Sequence, residues 1–108
     1  MRLRVLFVLL AAVLGIVSCR QEDIRTKTIR VPQMKNAKCS QIVTAVLGKT
    51  EGVRPATIKA GEGTVTVTYD SMKLGLKNLE AIIAQTGFDA NDTPADPKAQ
   101  AALPADCR

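Results

Sequence analysis

Three cysteines and no histidine bound the chemistry available to this chain of 108 residues. Without imidazole it lacks the commonest general base and the commonest metal ligand. Metal chemistry must then come from Cys, Met, carboxylates or backbone, and histidine-rich zinc or iron sites are excluded within one chain. No nucleophile elbow, phosphate loop or usefully spaced carboxylate pair is present. Gly61-Glu62-Gly63 reads as a turn and not as a dinucleotide site. These absences predict that the protein is not an enzyme. The formal net charge is +5, with lysines and arginines scattered along the chain. No basic run is interleaved with the aromatics that stack bases, so nucleic acid is not an expected partner.

The first cysteine, Cys19, follows a basic Met1-Arg2-Leu3-Arg4 and an apolar run from Val5 to Val17. That run is too short for a comfortable transmembrane helix and suits the apolar region of a secretory signal. Ile16-Val17-Ser18-Cys19 resembles the bacterial lipobox. The resemblance implies a signal peptide at residues 1–18 and an acylated Cys19 that leads the mature chain, in a palmitate-bearing lipoprotein of the envelope. Several acyl chains on one residue hold a protein to a bilayer, where one chain alone is marginal. By resemblance to enterobacterial lipoprotein sorting, Arg20 in place of Asp implies the outer membrane, facing the periplasm. Residues 19–24 read as a tether.

Two further cysteines, Cys39 and Cys107, need elements to position them. Arg25 to Val31 reads as a strand that Pro32 stops. Cys39, Ile42, Val43, Val46 and Leu47 recur at helical spacing, with Asn36 placed to cap the helix. Val53 to Ala60 reads as a second strand, at an edge or bulge because of Pro55. Thr64 to Tyr69 alternates strictly, so Val65, Val67 and Tyr69 should face a core. Leu76 to Thr86 is a second amphipathic helix with Gly75 and Gly87 at its ends. Phe88-Asp89-Ala90 is expected to form a last strand. Residues 91–108 read as a Pro- and Ala-rich tail, with one helical turn around Pro97 to Leu103. The order β-α-β-β-α-β predicts an α+β, ferredoxin-like domain over residues 25–90: a four-stranded antiparallel sheet with two helices on one face.

From Thr28 to about Ala90 the chain resembles the heavy-metal-associated domain. The features that carry this are Val31-Pro32-Gln33-Met34, Glu51-Gly52-Val53, Val67-Thr68-Tyr69-Asp70 and Ala81-Ile82-Ile83-Ala84-Gln85-Thr86-Gly87-Phe88-Asp89-Ala90. The family holds soft metal ions in an M-x-C-x-x-C loop. The corresponding stretch here runs Met34-Lys35-Asn36-Ala37-Lys38-Cys39, so the second cysteine is kept and the first is Asn36. The resemblance implies a soft ion, Cu(I) or Hg(II) before Zn(II), with a metal-transporting ATPase or another metal carrier as partner. It implies Cys39 as the principal ligand, with Met34 a buried loop anchor and Asn36 a poor, hard donor.

Several readings of Cys39 stay open. Cys107, on a tail long enough to fold back, could supply a second thiolate, and a helix N-terminus should lower the pKa of Cys39. The same pair could instead form a structural disulfide in an oxidising compartment, or alternate between the two states. Cys39 could also be an inert first-turn residue in an interaction or structural module that has lost its metal. Two copies of the chain could share an ion between two Cys39 thiols.

Overall fold

A computed structural model describes residues 21–108. The expected signal peptide at residues 1–18 and the expected acylation of Cys19 fall outside the described residues. Among those residues no helix is long and apolar enough to cross a membrane.

Three strands form one antiparallel sheet in the order β1-β3-β2: β1 is Ile24–Arg30, β2 Lys59–Gly61 and β3 Thr64–Asp70. Alternation decides which face is covered. Val65, Val67 and Tyr69 of β3 and Ile29 of β1 are buried. On the opposite face Thr26 meets Thr68 and Thr28 meets Thr66, each hydroxyl pair about one hydrogen bond apart (3.0 and 3.1 Å). Helix α1, Ala37–Gly48, buries Cys39, Val43 and Leu47, and α2, Leu76–Thr86, buries Leu79, Ile83 and Ala84. These stripes close one core with the strands, Val31, Met34 and Phe88. The predicted bounds of α2 match the observed ones. Asn78 Oδ1 accepts the Gly75 N–H at 2.9 Å, and Gly87 ends the helix in the left-handed conformation.

Two expected strands differ. The stretch Val53 to Ala60 is not continuous. Val53 makes an isolated bridge to Tyr69, Pro55–Thr57 winds into a 3-10 turn, and only Lys59–Gly61 joins the sheet. Pro55 explains the break: its ring fixes φ near a helical value, and it has no N–H to offer a ladder. The fourth strand at Phe88-Asp89-Ala90 does not form among the described residues, so the sheet has three strands rather than four. Asn91 takes a left-handed φ of 51°, and the chain folds back in an Ala90–Thr93 bridge. In place of a ladder, the chain bonds to β1 at Asn91: the Arg30 N–H donates to Asn91 Oδ1 and the Arg30 carbonyl accepts from the Asn91 N–H.

The stretch after Ala90 is a packed part of the domain. A third helix, α3, spans Pro97–Ala102, capped by Asp96, whose Oδ2 accepts the Ala99 N–H. A last 3-10 turn covers Ala105–Cys107. Asp96 N–H donates to the Ala84 carbonyl at 2.9 Å, and Asp89 Oδ1 accepts the Ala95 N–H at 2.7 Å. Leu103 and Cys107 are buried in the core. Buried Glu80 joins the two regions, accepting from Lys77 Nζ and Thr93 Oγ1, both at 3.3 Å. At the other end of the domain, Ser71 Oγ and the Arg25 guanidinium donate to Asp23 and hold its carboxyl below the usual carboxylate range.

Candidate metal centre

The loop from Val31 to Asn36 is fixed on several sides. The Val31 N–H donates to the Gly63 carbonyl at 2.8 Å, and the Gly63 N–H donates to the Met34 carbonyl at 3.0 Å. The β2–β3 hairpin turn therefore buttresses the loop, and Gly63 has the positive φ (72°) this geometry needs. Gln33 clasps Asp89 through two hydrogen bonds, Nε2 to Oδ2 at 2.6 Å and Asp89 N–H to Oε1 at 3.0 Å. Met34 is fully buried in the core, as expected of a loop anchor.

Asn36 sits at the N-cap of α1 in an extended conformation, and its Oδ1 accepts the Cys39 N–H at 3.0 Å. Cys39 is thus the third residue of the helix, pointing inward, with no exposed surface. Its sulfur is bonded to that of Cys107, across 68 positions of sequence and a Cα separation of 5.6 Å. Cys107 is also fully buried. Of the readings the sequence left open, the structure therefore shows the pair joined, and as a disulfide neither sulfur titrates.

Asp106, absent from the sequence-based candidates, completes the group. Asn36 Nδ2 donates to Asp106 Oδ2 at 3.0 Å. The two sulfurs and an Asp106 carboxylate oxygen all lie within 4.8 Å of one another. Its one trace in the sequence is adjacency: Asp106 precedes Cys107, so whatever brings Cys107 to the loop brings Asp106 too. Arg108 turns away, its Nε donating to the Leu103 carbonyl at 3.0 Å. An open depression of about 270 Å³ adjoins the loop, between Lys35, Asn36 and Ser40 on one side and Ala60 to Glu62 on the other.

Asn36 thus serves two partners with one amide. Asn36→Ala is expected to cost about 1 kcal/mol through the lost cap, lowering Tm by roughly 4–8 °C. Asn36→Ser keeps a cap but is too short to reach Asp106. It should recover most of that loss while leaving the Asp106 carboxylate untethered. Thermal unfolding of both variants measures the first effect, and the Asp106 carboxyl shift by NMR measures the second.

The arrangement places two sulfurs, a carboxylate and an amide where the chain enters its first helix. A model of the heavy-metal-associated domain matches residues 28–89. Human copper-transporting ATPase 2 is 30% identical over 66 residues, which are 61% of this chain but only 4% of that protein. Among solved structures, oxidized MerP from Ralstonia metallidurans CH34 superposes with a TM-score of 0.59 at 25% identity, over 64% of this chain and 96% of that one. The putative copper-ion-binding protein from Bacillus anthracis str. Ames gives 0.59 at 29% identity, over 66% and 100%. The mercury-bound form of MerP, the periplasmic protein from the bacterial mercury detoxification system, gives 0.54 at 31%, over 64% and 96%. The matched residues take in the whole loop, both long helices and the sheet from Thr28 onward, and on that ground the chain belongs to the heavy-metal-associated domain family.

Proposed function

We propose that this protein is an envelope lipoprotein that holds and passes on a soft heavy-metal ion, Cu(I) before Hg(II), between the thiolates of Cys39 and Cys107. The observation that carries the reading is that the C-terminal turn delivers Cys107 to Cys39 at the loop where Asn36 has taken the place of the first family cysteine. Two soft thiolates suit a soft ion in a two-coordinate site, whereas one thiolate and an amide do not. Family membership supports the reading, as do a copper-transporting relative and a mercury-bound structural neighbour. In this account the disulfide is the oxidised, metal-free form. The lipid on Cys19 would tether the domain to the membrane, the outer membrane by preference. A metal-transporting ATPase or another carrier would exchange the ion.

The test uses the full-length chain with Cys19→Ser, so that Cys39 and Cys107 are its sole thiols, in detergent and under a phosphine reductant. Titration with Cu(I) against a chromophoric chelator should show one ion per chain, and either Cys39→Ser or Cys107→Ser should lose it. Equal retention by the parent and both variants rejects the proposal.

The complete burial of both sulfurs favours a second reading, an interaction or structural module that has lost its metal and uses the pair as a staple. Counting free thiols and bound metal together on native protein separates the two. A quantitative disulfide, with no Cu(I) uptake after reduction, establishes the second.

A further inference from the structure

The geometry points to a metal site with three protein donors, in which Asp106 joins Cys39 and Cys107 to bind a borderline divalent cation, Zn(II) by preference. This rests on the reading that the cysteine pair can be reduced and hold a metal. It adds a ligand from the C-terminal turn, outside the loop and beyond the residues matched to the family.

Three observations converge. The two sulfurs and the Asp106 carboxylate oxygen already lie within 4.8 Å of one another. In a tetrahedral zinc site, Zn–S bonds of about 2.3 Å and Zn–O bonds of about 2.0–2.2 Å set ligand-to-ligand edges of about 3.5–3.8 Å. Reaching them asks the two sulfurs to part once reduced and the carboxylate to close by at most about 1 Å. Second, the Asp106 carboxylate is held on the loop side by Asn36 Nδ2, bonded through Oδ2 alone. No other side-chain donor is bonded to that carboxylate among the described residues, so Oδ1 keeps its acceptor capacity. An oriented ligand with a second partner is the usual support for a metal-bound carboxylate. Third, Asn36 gives the residue at the first family cysteine a use: it positions a carboxylate from the tail where the family has a thiolate.

The donor set decides which metals benefit. Cu(I) is satisfied by two thiolates, and a hard carboxylate oxygen adds little to it. Zn(II) takes sulfur and oxygen together and wants four ligands, so two sulfurs alone leave it poorly held. Asp106 therefore extends the range of the site to divalent ions without altering its Cu(I) affinity. The fourth position is open to water or to a ligand from the acceptor.

A dithiol reductant gives up two electrons to the Cys39–Cys107 bond and becomes a disulfide. The two protons released from it go to the two cysteines as their S–S bond breaks. Zn(II) then displaces those protons to solvent and binds two thiolates and one carboxylate. Asp106, exposed at the surface, gives the ion an approach to the buried sulfurs.

The experiment compares the reduced full-length Cys19→Ser chain with its Asp106→Asn and Asp106→Ala variants, each titrated with Co(II), Zn(II) and Cu(I). The parent should give the thiolate-to-cobalt charge-transfer band and the intense visible absorption of tetrahedral Co(II), bleached by Zn(II). Both variants should weaken Zn(II) by more than the roughly 10–100-fold typical of losing an outer-shell partner, with Cu(I) affinity unchanged and circular dichroism unaltered. If Cu(I) binds but Co(II) and Zn(II) do not, or if the variants leave Zn(II) affinity intact, the third ligand is refuted and the soft-metal reading stands. If no metal binds the reduced chain, both fail.

Discussion

Replacing Cys39 and Cys107 together by Ala is expected to lower the melting temperature of the oxidised protein by roughly 15–30 °C. The pair closes a loop spanning 68 positions of sequence. In the chain-entropy account, such a cross-link restrains the unfolded state by about 4 kcal/mol, and each kcal/mol moves Tm by roughly 4–8 °C in a domain of this size. Net stabilities of about 5–15 kcal/mol are typical, and this core has few large side chains, so that share is decisive. The single variants sharpen the test. Cys39→Ala or Cys107→Ala removes the entire cross-link, so the double variant should cost about as much as either single one rather than twice as much. Cys→Ser changes should be somewhat worse, because they bury a hydroxyl in an apolar core. Calorimetry of the oxidised parent and the three alanine variants measures this. Unfolding temperatures within 2–3 °C of one another, which is about half a kcal/mol, would overturn it. The same reasoning links stability to cargo. One ion held by both thiolates closes the same loop, so reduced protein with Cu(I) should regain much of the lost Tm, because ligand binding to the folded state stabilises it.

Much of this arrangement is legible in the sequence. The strict alternation of Thr64 to Tyr69 and the helical spacing of Cys39, Val43 and Leu47 read correctly because each element has one buried face, and the burial follows that pattern. Asn36 as a cap and Gly87 as a helix terminator read correctly because capping chemistry is local. The two misread strands fail for equally local reasons, Pro55 in one and the left-handed Asn91 in the other, but their consequence depends on tertiary alternatives. A proline can sit at a bulge or break a strand. Asn91 has to turn away for Thr93 and Asp96 to reach α2. The tail was the hardest to read. Asp, Pro and Ala give weak periodicity, and the six-residue α3 was legible only as a turn. What makes the tail part of the core is the pairing of Leu103 and Cys107 with residues distant in sequence, and spacing cannot supply that. Asp106 escaped for the same reason: a carboxylate becomes a ligand candidate only through its neighbours.

The docking of that tail rests on one glycine, and Gly87→Ala is the second change expected to have a large effect. Gly87 has a φ of 111°, outside the range where L-residues are comfortable. A β-carbon there would also lie 2.8 Å from the Ala99 carbonyl carbon, 2.9 Å from its oxygen and 2.8 Å from Leu103 Cδ1. The first two atoms are backbone of α3, which cannot step aside alone. Its entry is held by the Asp96–Ala84 and Ala95–Asp89 hydrogen bonds. Left-handed strain costs roughly 1–2 kcal/mol and overpacking about 1–3 kcal/mol, so a loss of about 3 kcal/mol is expected. The variant that separates the two causes is Gly87→Asn, because Asn tolerates a left-handed backbone but carries the same β-carbon. If the close approach of α3 dominates, Asn should cost within about 1 kcal/mol of Ala, since overpacking against backbone is felt by both. If conformation alone mattered, Asn would cost clearly less than Ala, though not nothing at a φ of 111°. The distinguishing readout is remote from the mutation. Displacing α3 moves Leu103 and the turn that carries Cys107, so Gly87→Ala should slow disulfide formation on air oxidation and raise the fraction of free thiol at equilibrium. Unchanged oxidation kinetics in a destabilised variant would show that the last turn reaches Cys39 without α3 to guide it, and the structural link between α2 and the candidate metal centre would fail.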